Sequence, residues 1–171
     1  MDAALLRSVQ APLKQRYRED AESARVPARA EAQLNQARLS CRVVAEGREV
    51  EAGLHPAAGG DGSLACSADM LMQALAACAG VTLAAVATAT GIALRSGRII
   101  AEGEWDARGT LAVDRTAPIG LTEVRLTFEL DTDADVAGLE RLIATTERYC
   151  VILQTLRAPP RLAVVQRRVL V

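Results

Sequence analysis

Four cysteines, Cys41, Cys66, Cys78 and Cys150, carry most of the chemistry open to this sequence, and a single histidine, His55, carries much of the rest. The cysteine positions leave separations of 25, 12 and 72 residues. No CxxC or CxxCH occurs, so a zinc ribbon, a thioredoxin-type dithiol and a c-type haem attachment find no support. One histidine excludes a two-His metal site or a facial triad within one chain. What remains is the chemistry of individual thiols. Each is a thiolate nucleophile where its surroundings lower the pKa, or a small inert hydrophobe where they do not.

Cys78 falls mid-way along an apolar segment, on a stripe with Leu71, Ala74, Leu75, Val81, Thr82 and Ala85. One reading is a buried, inert thiol; the other is a nucleophile. The middle of a helix gains nothing from its own dipole, so the nucleophile would need a cation brought from elsewhere. Thr82, one turn on, would orient the sulfur. Cys150 lies where one helical pattern ends and another begins, between Arg148 and the N–H groups of 152–154. Both neighbours favour a thiolate and a part-exposed sulfur; the alternative is a buried cysteine beside Tyr149. Cys41 alternates onto an apolar strand face and reads as structural, whereas Cys66, ahead of the long helix, stays open. His55 reads as a loop or capping residue rather than a base, since no motif ties a Ser or Cys nucleophile to it.

These residues need a frame, and 171 residues suffice for one full core. Lys+Arg number 20 and Asp+Glu 21, with a sequence pI near 5.9, which leaves no excess of cations for a phosphate backbone. Four aromatics, Tyr17, Trp105, Phe128 and Tyr149, leave a core of Ala, Val, Leu and Ile. No basic segment precedes an apolar one at the N-terminus, and no small-residue cleavage site follows. The expectation is therefore a cytoplasmic, reducing setting in which paired cysteines imply no disulfide framework.

Residues 1–28 form an N-terminal helical extension in this reading, with Leu5, Leu6, Val9, Leu13 and Tyr17 at helical spacing and an interruption at Pro12. Residues 29–171 form the main domain. Alternation over 41–54 predicts a hairpin turning at Glu46-Gly47-Arg48, and His55 to Gly62 is a loop. Gly59-Gly-Asp-Gly62 lacks both GxGxxG and GK[ST], so it signals no nucleotide site. Between Asp69 and Arg95 no charge occurs. With Ser67 as N-cap and Gly91 as stop, that predicts a helix of roughly 22 residues. Its length would span a membrane, but its Ala and Thr richness and missing aromatic belt argue against one. A helix apolar on all sides is otherwise covered on all sides, and a subunit interface is the simplest cover. Strands follow over 98–105 and 123–130, then a helix with Val136, Leu139, Leu142 and Ile143, a short turn of helix over 151–157, and a last strand from Leu162 to Val171. Clean alternation predicts an α+β fold with an antiparallel sheet, wet on one face, around a long central apolar helix.

Ser67-Ala-Asp-Met-Leu-Met-Gln-Ala-Leu-Ala-Ala-Cys78-Ala-Gly-Val-Thr82-Leu, together with Glu147-Arg-Tyr-Cys150-Val-Ile-Leu-Gln-Thr-Leu156, resembles the OsmC/Ohr family, and Gly59-Gly-Asp-Gly62 fits the same pattern. The resemblance covers about residues 30–170. It implies an intertwined homodimer with the long helices packed centrally and active sites at the interface. It also implies a thiol-dependent peroxidase for organic hydroperoxides, with Cys78 peroxidatic, Cys150 resolving, no bound cofactor, and an external dithiol as reductant. Neither a nucleic acid nor a membrane partner is implied. The pattern departs at Ala68, where well-studied hydroperoxide reductases carry Glu, and at Val151, where Pro is usual. Asp69 is nine residues from Cys78, half a helical circuit round and about 13.5 Å along the axis, and does not replace that Glu. Arg25, Arg29, Arg38, Arg42 and Arg48 are all candidates for an activating cation. The rival reading is a non-catalytic dimer whose interface pocket binds a small lipophilic ligand.

Overall fold

The hairpin turns as its sequence predicts. In the computed structural model, which describes residues 1–168, β2 (Ser40–Ala45) and β3 (Arg48–Gly53) pair antiparallel with Val43 opposite Val50. Glu46 and Gly47 make the corner at φ of 47° and 75°, the geometry whose twist suits a two-residue hairpin and which glycine adopts without strain. β1 (Glu31–Asn35) adds to the other side of β2, giving the order β1-β2-β3. Of this sheet only Ser40 and Ala52 are buried. It meets the rest of the chain where Gly53 N–H donates to the Ala65 carbonyl at 3.0 Å.

The long helix, α2, runs Ser67–Thr90, 24 residues. Cys66 rather than Ser67 is its N-cap, Asp69 sits in the first turn, and Gly91 ends it in the left-handed region at φ 74°. The helix is long and apolar enough to cross a membrane by length and composition alone. Its contacts are with α1 (Ala3–Glu19), with β4 (Leu94–Trp105) and with α4 (Val136–Tyr149) and α5 (Val151–Arg157). β4 pairs antiparallel with β5 (Leu121–Thr132), Ile99 opposite Phe128. Between the two strands lies a four-residue helix, α3 (Ala107–Thr110). α4 opens on Asp135, whose carboxylate accepts the Gly138 N–H at 2.7 Å.

The core runs in two patches along α2. Leu75 and Ala79 pack with Cys150 against Ile99, Ala101, Leu126 and Phe128. Leu83 and Ala87 pack with Leu142 against Leu94, Leu130 and Leu139. Within one protomer α2 buries a single stripe: Leu75, Ala79, Leu83 and Ala87 are buried, whereas Val81, on a face that the expected subunit contact would cover, is 73% exposed. The spacing of four residues keeps that stripe on one side of the helix.

Two expectations change. α1 (Ala3–Glu19) runs unbroken through Pro12. Proline removes one bond, to the Ser8 carbonyl; both residues lie on the exposed side, where water can replace the lost donor. The last strand is not formed: residues 161–168 have no regular structure, and 169–171 lie outside the described residues. A strand exists only against a neighbour, and among the described residues no sheet edge receives this segment.

Candidate functional site: a thiol pair at a helix break

α2 carries Cys78 one residue before buried Ala79, at the margin of the buried stripe, so its sulfur is half-buried. The junction of α4 and α5 carries Cys150. Because α2 packs on both helices, the 72 residues between the two cysteines are closed by the fold, and Cys78 packs against the cluster of Leu75, Ala79 and Cys150. The two thiols lie close enough for each to act on the ionisation of the other, and all four cysteines are free thiols.

The pair is polarised. Burial pushes the Cys78 thiol up, but the Ile152 N–H, the Cys150 thiol, the Val151 N–H and the Thr82 hydroxyl together outweigh it, leaving Cys78 below the ordinary thiol range. Cys150 moves the other way. It is 0% exposed, and burial raises it; the Leu153 N–H pulls down, and the Cys78 thiol and its charge raise it again. The sequence expectation of a part-exposed, thiolate-leaning Cys150 is thus reversed. The sulfur that gains is Cys78, and it gains from the first amides of another helix rather than from a guanidinium. The clue available in the sequence was the pair of helical patterns meeting at Cys150; what it could not reveal was which sulfur those amides would meet.

Cys150 has extended backbone, φ −73° and ψ 105°, between two helices. Its N–H donates to the Thr146 carbonyl and its carbonyl accepts from the Gln154 N–H, each at 2.9 Å. Gln154 Nε2 donates to the Glu147 carbonyl at 2.7 Å, and the Arg157 guanidinium pairs with the Glu147 carboxylate at 2.6 Å. Fully buried Thr146 gives its hydroxyl to the Leu142 carbonyl. An acidic thiol touching a protonated thiol can take an electrophilic oxygen and then close a disulfide.

The other sequence candidates lie apart from this pair. His55 Nδ1 accepts the Ala57 N–H at 3.0 Å, the capping role expected of it, and its ring meets Trp105 edge-on at 5.5 Å. His55, Cys66, Leu71 and Trp105 line a cavity of about 350 Å³ at the N-terminal end of α2. Ala68 lines it too, and no carboxylate stands there. Cys66 is twelve residues from Cys78, about 18 Å along the helix. Cys41 faces a shallow apolar hollow with Leu34, Leu39 and Leu54. Arg25, Arg29, Arg38 and Arg42 pair with Glu22, Glu31, Glu51 and Glu49, all at the surface. A groove of about 470 Å³ between β5 and α5 shares Leu126, Phe128 and Leu153 with the wall around Cys150.

Comparison with known proteins agrees with this frame. A family model described as OsmC-like protein matches residues 60–165. The OsmC-like protein of Mycoplasma pneumoniae superposes with a TM-score of 0.66 at 19% identity, over 78% of this chain and 89% of that one. An organic hydroperoxide resistance protein from Elizabethkingia anophelis does so with 0.63 at 17% identity, over 79% and 91%. A third, the organic hydroperoxide resistance protein OsmC of Legionella pneumophila, gives 0.58 at 16% identity, over 78% and 90%. At such identities the likeness is one of fold. Among curated proteins, none matches the sequence.

Proposed function

The chain belongs to the OsmC-like family, and on that premise we propose that it is a thiol peroxidase reducing organic hydroperoxides, with Cys78 attacking and Cys150 resolving. The observation that carries the reading is the contact between two thiols 72 residues apart whose pKa values are displaced in opposite directions. The Cys78 thiolate attacks the terminal oxygen of the hydroperoxide and the O–O bond breaks. The alkoxide leaves and takes a proton from water, while the sulfur becomes a sulfenic acid. Cys150, kept protonated by burial until then, attacks that sulfur; its proton and the hydroxyl depart as water, and a Cys78–Cys150 disulfide remains. An external dithiol returns two electrons and two protons to the pair. The missing carboxylate at Ala68 leaves the Val151 and Ile152 amides, the Cys150 thiol and Thr82 to hold the attacking thiolate.

We also propose that the working form is a homodimer in the cytoplasm. The dimer is supported by the apolar surface one protomer leaves open: Val81 on α2, and Leu34 (88% exposed) and Leu39 around the β1–β3 sheet. A membrane is the alternative cover for α2, but the helix packs one stripe into a core of amphipathic elements, and those make a poor bilayer span.

The test is peptide mass after one equivalent of a bulky organic hydroperoxide is added to the reduced protein. The expected product is a Cys78–Cys150 linked peptide that a dithiol reverses. Cys78→Ser abolishes peroxide consumption, and Cys150→Ser allows a single oxidation that ends in sulfenic or higher acids. If Cys78 stays a free thiol while peroxide persists, the enzyme reading is wrong and the ligand-binding reading takes its place.

A further inference from the structure

The break at Cys150 has no helix breaker to cause it. From Leu139 to Arg157 there is neither glycine nor proline, and the run is rich in Leu, Ile, Glu and Arg. Thr145, Thr146, Tyr149, Cys150, Val151 and Ile152 around the break are only middling helix formers, but none forbids a helix, so the backbone is free to continue as one. In that helix the Glu147 carbonyl would accept the Val151 N–H and the Arg148 carbonyl the Ile152 N–H. The structure does otherwise: the Glu147 carbonyl takes the part-buried side-chain amide of Gln154 at 2.7 Å, while the Val151 and Ile152 amides act on Cys78. Arg157 fastens the same corner through the Glu147 carboxylate, but that pair is half exposed and contributes little.

We propose that Gln154 is a positioning residue for the thiol pair: by occupying the Glu147 carbonyl it holds the α4–α5 break open and keeps Cys150 against Cys78. An orphan carbonyl at this corner would otherwise draw the Val151 N–H back to itself. Closing the break swings the backbone at 150–152 into the helix and takes two amides and a thiol away from Cys78. The inference rests on the proposed function only in taking Cys78 and Cys150 as a disulfide-forming pair.

The variants are Gln154→Met, which keeps the volume and loses the donor, and Gln154→Lys, which keeps a donor. Two readouts apply, neither using peroxide. The first is the equilibrium of the Cys78–Cys150 disulfide with two glutathiones, giving two protein thiols and one glutathione disulfide. The second is the pH profile of Cys78 alkylation by iodoacetamide, read on its peptide. Gln154→Met makes the disulfide about tenfold easier to reduce, the worth of one net hydrogen bond, and moves the alkylation arm to higher pH. Gln154→Lys restores both. Unchanged readouts in Gln154→Met overturn the proposal, as does a Gln154→Lys that behaves like it.

Should Gln154→Met not fold, Val151→Pro on that background decides. Proline has no N–H to close the break, its ring excludes the Glu147 carbonyl from a continued helix, and the extended Cys150 accepts a following proline. The proline also removes the Val151 N–H that reaches Cys78, so the double variant is read by folding and by whether the Cys78–Cys150 disulfide forms under oxidised glutathione, not by the strength of that disulfide. It is expected to fold and to form the disulfide; a failure of either overturns the proposal. A wild-type chain that forms no such disulfide under oxidised glutathione counts against the peroxidase reading instead, and the alkylation profile still tests Gln154.

Discussion

A shared contact does opposite things to the two sulfurs. Cys78 meets amides and a thiol that favour its ionised form, while Cys150 has no exposed surface and sits beside a sulfur that takes the charge. A thiol whose pKa is lowered ionises, and reacts, at lower pH than an ordinary one, so Cys78 alkylation rises and levels off below the usual thiol range. Removing the Cys150 donor takes away part of that support. Cys150→Ala therefore shifts the Cys78 rate profile to higher pH, measured by iodoacetamide kinetics; an unmoved profile would mean the amides alone set it. The same depression stabilises the folded chain above the unfolded thiol pKa, a contribution lost as pH falls through the folded one. Cys78 and Cys150 were legible as the pair to watch because two helical patterns and a family resemblance converge on them. Their acidities were not, since burial and the direction of amides belong to the assembled fold. Thr82, one turn from Cys78, was legible by spacing alone.

Among the elements, those whose ends are written in side chains were readable. Gly91 stops α2 in the left-handed region, Gly47 turns the hairpin, and Asp135 caps α4 through the Gly138 N–H. Asp135→Ala removes that cap and is expected to lower stability by about 1 kcal/mol in denaturant unfolding, against about 2–5 kcal/mol for Leu142→Ala in the core. Equal losses in the two variants would contradict the packing of α4 described above. Unreadable elements depend on something outside themselves. The helix running through Pro12 needs water at one carbonyl, the segment after Pro160 needs a sheet edge to become a strand, and the break at Cys150 has no breaker residue near it.

At the scale of the molecule, the burial of α2 is one-sided. Its buried stripe faces β4 and α4, while Val81 and the β1–β3 sheet stand open. Val81→Arg puts a charge on the open face without touching that stripe. It is expected to leave circular dichroism unchanged and to convert a dimer to a monomer in sedimentation velocity; a dimer that persists places the contact elsewhere. Seen from solvent, the thiol pair also has a single entrance. Cys150 offers no surface, so under the proposed function Cys78 is both where oxidant arrives and where reductant must strike. Two reagents sharing one door cannot occupy it together. In the proposed peroxidase cycle, turnover then alternates strictly between a peroxide visit and a dithiol visit, and an excess of either reagent delays the other.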